Sequence, residues 1–300
     1  MSKPVSLVLS SGGARGIAQI GVIEGLINEG FEIKSIAGSS IGAFVGGMYA
    51  LGKLNDYKEF VCNLDKLDVF KLIDFTFSTT GFIRGERVIS ELTKRLDDGN
   101  IEDFKIHYAA VATDILNNEE IVFEKGSLFY ALRASTAIPT VVKPIRTEGR
   151  LLVDGGVLNP IPIKYVKRTP DDLLVVVNVN DNSPYTRPPF QTKQEKKRES
   201  DILKNVSQFM ERWMDLYPNK KSAPKKLGFF DLMNRSFDLM QDQLSTLILD
   251  RYKPDIVVNV SRKVCGTFEF YRSKELIELG SRAFRESLEN YRNNECTNAQ

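Results

Sequence analysis

The chain has 300 residues, 42% of them hydrophobic, enough to bury the core of one large α/β domain. Its 41 Lys and Arg stand against 39 Asp and Glu, and the net charge of +2 argues against a nucleic-acid partner held by overall charge. The three cysteines, Cys62, Cys265 and Cys296, are far apart and outside any metal-ligand spacing, which argues against a disulfide framework and for a reducing, cytoplasmic setting.

Met1-Ser2-Lys3-Pro4 shows no signal-peptide layout, and residues 4–10 read as a buried strand. Ser11-Gly12-Gly13-Ala14-Arg15-Gly16 then opens a helix whose apolar positions include Ile17, Ile20, Val22, Ile23 and Leu26, ended by Gly30. A glycine-rich turn between strand and helix exposes backbone N–H groups at the positive end of a helix dipole and so suits an anion. A dinucleotide pyrophosphate, a phosphate group and the oxyanion of acyl transfer compete for it. The dinucleotide fingerprint needs glycine where Ser11 stands and an acidic residue closing the second strand. That second strand closes instead on Gly38-Ser39-Ser40-Ile41-Gly42, a G-x-S-x-G pattern between an apolar strand and a small-residue helix, which favours the oxyanion.

G-x-S-x-G in this context reads as a nucleophile elbow, with Ser40 on a strained turn and glycines two residues either side where a Cβ would collide with its neighbours. A plain Gly/Ser turn gives the same letters. The uncharged stretch 35–52 also carries Gly38, Gly42 and Gly46 at the spacing of a membrane-helix contact, but its glycines and serines leave it too polar to span a bilayer.

Residues 53–67 read as a charged amphipathic helix, and Gly81-Phe82-Ile83-Arg84-Gly85 precedes another over 87–96. Strands are predicted over 107–113 and 121–123, and a helix over 128–137 that stops at Pro139. The strand 150–153 ends on Asp154-Gly155-Gly156, placing a carboxylate at a strand end, where α/β folds gather their chemistry. Residues 172–180 and 255–260 are apolar runs typical of strands buried on both faces. Between them, 182–250 departs from the alternating pattern and reads as a helical insertion or lid. Lysines and an arginine over 193–198 and lysines over 220–226 flank an apolar stripe with Phe209 and Trp213, a layout suited to peripheral contact with an anionic membrane surface. A last helix is expected over 273–288 and a disordered tail over 290–300.

A serine nucleophile needs a base, usually histidine. The single histidine, His107, starts a predicted strand, and the order Ser40, His107, Asp154 matches no known triad order. A carboxylate is left as the direct base, Asp154 first and Asp114 second, because burial raises its proton affinity and oxyanion donors stabilise the intermediate.

These residues resemble the patatin-like phospholipases over most of the chain. Residues 7–16 look like that family's oxyanion loop, 38–42 its elbow and Asp154-Gly155-Gly156 its Asp-Gly-Gly/Ala motif, and Ala134-Ser135-Thr136-Ala137-Ile138-Pro139 is similar to a core block. The resemblance implies a Ser40–Asp154 dyad and an oxyanion hole over Gly12, Gly13, Ala14, Arg15 and Gly16. It also implies hydrolysis of fatty-acyl esters of lipids such as membrane phospholipids, with neither metal nor organic cofactor. Ser11, where the family loop usually has glycine, Gln19, where many bacterial members have histidine, and Pro139-Thr140-Val141-Val142-Lys143-Pro144 depart from its pattern. The expected fold is α/β, a three-layer α/β/α sandwich around a mainly parallel sheet, in a single domain of residues 1–300. The expected function is a serine lipid acyl hydrolase of phospholipase or lysophospholipase type. An acyltransferase using the same acyl-serine, and an inactive lipid- or phosphate-binding module, are the alternatives.

Overall fold

The computed structural model describes residues 3–73, 86–139, 141–186 and 229–298. Its strands are β1 (Lys3–Leu9), β2 (Phe31–Ser39), β3 (His107–Asp114), β4 (Glu119–Phe123), β5 (Ile145–Thr147), β6 (Arg150–Asp154), β7 (Leu173–Asp181) and β8 (Ile256–Ser261). Its helices are α1 (Ala18–Asn28), α2 (Ile41–Ala50), α3 (Leu54–Cys62), α4 (Lys66–Ile73), α5 (Glu86–Thr93), α6 (Leu128–Ser135), α7 (Phe229–Tyr252) and α8 (Ser273–Asn298).

The strands form one mixed sheet in the order β5-β6-β3-β2-β1-β7-β8, with β4 also paired to β3. The apolar runs make its parallel part, β3-β2-β1-β7-β8, and the more polar β4, β5 and β6 pair antiparallel. Alternation along the strands assigns the two faces. Leu7, Ile36 and Tyr108 share one register row, and α2 covers that face so closely that a Cβ on Gly46 would lie 2.7 Å from Ile36 Cγ2. On the other face Val8, Leu174 and Val176 pack with Ile161 and Ile163 beneath Ile248, Leu249 and Tyr252 of α7. Helices α1 and α8 pack against each other, with Gly21 beside Ile277 and Gly280 beside Ala18. Full burial of each such aliphatic side chain stabilises by roughly 1.5–3 kcal/mol, so the sheet end that carries the site rests on a well-filled core.

How β3 uses its edges positions the site. Ala110 and Val111 pair with both β2 and β4, and Ala112 to Asp114 with both β4 and β6. A strand has two edges, so β2 and β6 lie end to end along the edge opposite β4. Ser39, the last residue of β2, pairs with Val111, and Asp154, the last of β6, pairs with Ala112. Two strands running in opposite directions therefore stop against adjacent residues of β3.

Two expectations change. The amphipathic stretch 53–67 is not one helix: Asp65 accepts from Asp68 N–H at 2.8 Å and Asp68 accepts from Asp65 N–H at 3.2 Å, a reciprocal cap that starts α4 afresh. The tail is helical to Asn298, because Thr297 Oγ1 donates to Asn293 O (2.9 Å), Tyr291 to Glu295 (2.5 Å) and Arg292 to Glu29 (2.9 Å). The chain also divides into two compact units, residues 1–184 with 238–300, and residues 185–237. Residues 238–250 of the expected insertion thus belong to the first unit, where α7 buries Gln241 and Ser245. Phe209, Trp213 and the flanking basic clusters lie outside the described residues, as does Gly81-Phe82-Ile83-Arg84-Gly85.

Candidate active site

Ser40 sits between β2 and α2 with φ 56° and ψ −125°. A non-glycine residue there costs of order 1–3 kcal/mol and persists only where its surroundings over-determine it. Here they do. Ser40 N–H donates to Ser135 Oγ (2.9 Å), whose hydroxyl donates to Val111 O (2.6 Å), and Ser40 O accepts from Phe44 N–H (3.1 Å) in the first turn of α2. Gly38 and Gly42 let the turn close: a Cβ would lie 2.4 Å from Ala43 N at the first and 2.1 Å from Leu9 O at the second.

Asp154 reaches the serine from the other side. Its N–H is held by Ala137 O at 2.9 Å, its Oδ1 accepts from Gly156 N–H at 2.8 Å, and its Oδ2 accepts the hydrogen bond donated by Ser40 Oγ. Gly155 and Gly156 keep the turn bare, since a Cβ would lie 2.1 Å from Val111 O at the first and 2.4 Å from Gln241 Nε2 at the second. Asp154 is 3% exposed, and burial pushes its pKa up to about 7 against the smaller lowering effect of the bonds from Ser40 and Gly156. The carboxyl therefore titrates near neutrality.

The glycine loop leaves β1 at Leu9, becomes a 3-10 turn over Gly13–Ile17 and passes straight into α1. Gly13 takes φ +57°, a conformation that favours glycine. Gly16 lies against Ile41, the residue after Ser40, where a Cβ would fall 2.1 Å from Ile41 Cγ2. Not every residue of the loop faces that way. Ala14 N–H donates to Thr267 O at 2.8 Å, and the buried Arg15 guanidinium donates to Asn180 Oδ1 at 2.9 Å. Desolvation lowers the Arg15 pKa. Among the described residues, no hydrogen bond takes up the N–H of Gly12 or of Gly13.

The two other candidate bases lie elsewhere. His107 pairs with Ser35, four residues before the end of β2, and at ~3.3 Å per residue that is about 13 Å along β3 from Val111. Both its ring nitrogens are engaged, Nδ1 with Ser35 Oγ and Nε2 with Glu124 Oε1, each at 2.8 Å, and burial lowers its pKa. Asp114 is fully buried and caps a turn, accepting from Leu116 N–H (3.0 Å), Asn117 Nδ2 (2.6 Å) and Leu151 N–H (3.2 Å). Burial acts to raise its pKa, but these hydrogen bonds outweigh it and the net direction is down.

Sequence reasoning gave no role to Ser135, which braces the elbow, or to Asn180 and Gln241, which bond the loop. Ser135 lies in a block similar to the family's, a weak signal; Asn180 and Gln241 have none, being isolated amides brought in from distant strand and helix. Cys62, Cys265 and Cys296 are free thiols. Among the described residues no group of three or more His, Cys, Asp or Glu is arranged to hold a metal ion, and no helix is long and apolar enough to cross a membrane.

A strained serine at a strand-to-helix turn, bonded to a buried carboxyl and flanked by a glycine loop, is the arrangement of a serine acyl-transfer centre. The patatin-like phospholipase profile matches residues 7–167, more than half of the chain and all three motifs, and the chain belongs to that family. An uncharacterized NTE family protein of Mycobacterium tuberculosis is 31% identical, over 96% of this chain and 92% of its own. The lysophospholipase nte1 of Aspergillus oryzae is 33% identical over 61% of this chain but only 12% of its own length. Among solved structures, VipD from Legionella pneumophila is similar over 97% of this chain and 67% of that chain, with a TM-score of 0.48 and 15% identity.

Proposed function

We propose that the protein is a serine hydrolase of fatty-acyl esters of lipids, with Ser40 as nucleophile and Asp154 as base. The observation that carries the reading is the hydrogen bond from Ser40 Oγ to a carboxyl buried enough to titrate near neutrality. Ser40 Oγ attacks the acyl carbonyl while its proton passes to Asp154 Oδ2. The ester C–O bond then breaks, the departing alkoxide takes that proton, and the acyl group stays on Ser40. Water attacks the acyl-serine, gives a proton to Asp154, and fatty acid leaves as the proton returns to Ser40 Oγ. Gly12 and Gly13 N–H groups stabilise the negative carbonyl oxygen at each addition.

Family membership supports phospholipid or lysophospholipid esters as the substrate class, and the Aspergillus relative named a lysophospholipase favours the second. Contact with a lipid surface follows from such a substrate. We place it on the segment 182–250, of which the described α7 exposes Leu239, Met240 and Leu247.

The test is incubation of the protein and its Ser40→Ala form with a mixed phospholipid and lysophospholipid extract, followed by lipid mass spectrometry. Free fatty acid is expected from the first and not from the second. Equal release by both would remove Ser40 from the chemistry.

A further inference from the structure

α7 brings one amide against the catalytic segments. Gln241 is 6% exposed although its neighbours Leu239 and Met240 are 60% and 57% exposed. Burying an amide costs about 1–3 kcal/mol unless it is paired, and this one is paired twice through one nitrogen. Nε2 donates to Gly156 O at 3.0 Å and to Ser11 Oγ at 3.3 Å. A backbone carbonyl can only accept, so the nitrogen and not the oxygen of the amide must face Gly156, and its two hydrogens suit two acceptors.

The two acceptors lie on the two segments that the proposed chemistry must hold in register. Ser11 immediately precedes Gly12 and Gly13, and its backbone is fixed on either side by its N–H donating to Pro160 O (2.9 Å) and its carbonyl accepting from Asn180 Nδ2 (2.6 Å). Gly156 N–H donates to Asp154 Oδ1. A continuous chain of contacts therefore runs from Ser40 Oγ through Asp154 and Gly156 to Gln241 and on to Ser11. No side chain fits between them, since a Cβ on Gly156 would lie 2.9 Å from Ser11 Cβ. A glycine at position 11 would leave Gln241 a single acceptor.

We propose that Gln241, acting with the Ser11 hydroxyl, is a positioning residue that fixes the Gly12–Gly13 donors relative to the Asp154 carboxyl. The inference rests on the Ser40–Asp154 reading. With the clamp in place, one acyl pose is polarised by the loop and attacked by a serine in contact with its base; without it the register between the two segments rests on the backbone bond from Ser11 N–H to Pro160 O, and the Gly156 turn loses its side-chain tie to the loop. Misplacement by about 1 Å can cost on the order of 100-fold in rate.

The variants are Gln241→Met, which keeps length and bulk without the donor, Ser11→Ala, which opens no cavity, and the pair combined. Each is followed by thermal melting, by the rate at which a fluorophosphonate labels Ser40, and by kcat and KM on a lysophospholipid, well below the melting temperature. Gln241→Met is expected to slow labelling and kcat by about 10- to 100-fold with KM within about 2-fold of wild type, and Ser11→Ala by about 3- to 10-fold. The double variant should be no slower than Gln241→Met alone, because Gln241→Met already removes the contact that Ser11→Ala removes. Lower melting temperature with unchanged labelling and kcat in the folded protein would make Gln241 a packing residue and overturn the proposal, as would additive effects. Should Gln241→Met fail to fold, Ser11→Ala alone decides: wild-type labelling and kcat overturn the clamp. A wild-type protein that fluorophosphonate does not label at Ser40, under conditions where a control serine esterase reacts, overturns the underlying reading and the clamp with it.

Discussion

Asp154 combines burial with a contact to a hydroxyl, and both its chemistry and its stability effect follow from that. A base must be ionised to accept the serine proton, so kcat/KM should fall as pH drops through about 7, the value to which burial raises this carboxyl. A profile flat through neutrality, with its acidic limb near the ordinary carboxylate range, would contradict the assignment. The same shift works against folding. A carboxyl whose folded pKa is raised contributes stability that is fully present below its unfolded pKa of ~3.8 and is lost as pH rises through about 7. Asp154→Asn removes that dependence, so its melting temperature should gain on wild type between about pH 4 and about pH 8. A constant difference across that range would show that the carboxyl is less buried than the structure has it. Ser135 braces the elbow through its hydroxyl, which accepts from Ser40 N–H. Ser135→Ala leaves Ser40 N–H without its acceptor and should destabilise by about 1–3 kcal/mol. Denaturant unfolding checks it, and an unchanged midpoint would mean that the elbow's strain is held by other contacts.

At the level of elements, the parts legible in the sequence are those whose cause is local. β7 is a nearly unbroken apolar run, β1 is apolar from Val5 to Leu9 but for Ser6, β2 turns small and apolar at Ile36-Ala37-Gly38, and the elbow and the Asp154 turn carry glycines at close approaches, so letters alone mark them. What the letters do not carry is partner choice. Nothing in residues 150–154 says that β6 runs antiparallel along the edge of β3 that β2 vacates, yet that placement sets Asp154 beside Ser40. The end of α8 was missed for a related reason: residues 290–298 are polar, and side-chain pairs and a contact to Glu29 hold them helical rather than an apolar stripe. Those exposed contacts are individually weak. Truncation after Asn290 should therefore lower stability by no more than about 1 kcal/mol, whereas Phe284→Ala, at a fully buried position against Gly25, should cost about 3–5 kcal/mol. Equal effects would mean that the last turns of α8 carry more of the α1–α8 packing than their exposure indicates.

For the whole molecule, the issue is how a near-neutral protein reaches a lipid ester. A net charge of +2 supplies little long-range attraction, and we propose that contact with a membrane surface runs through the local basic and apolar segment 182–250. Co-sedimentation with vesicles should then rise with anionic lipid and fall with salt; binding indifferent to both would move the contact elsewhere. The central claim, a serine activated directly by a carboxyl, is tested most directly by fatty-acid release from a lysophospholipid by wild type, Ser40→Ala, Asp154→Asn and His107→Gln, each confirmed folded by circular dichroism. The account predicts that Ser40→Ala is inactive, that Asp154→Asn loses about 10²- to 10⁴-fold, and that His107→Gln stays close to wild type because its imidazole is bound to Ser35 and Glu124. A folded His107→Gln protein as inactive as Ser40→Ala, or an Asp154→Asn protein near wild-type rate, would contradict it.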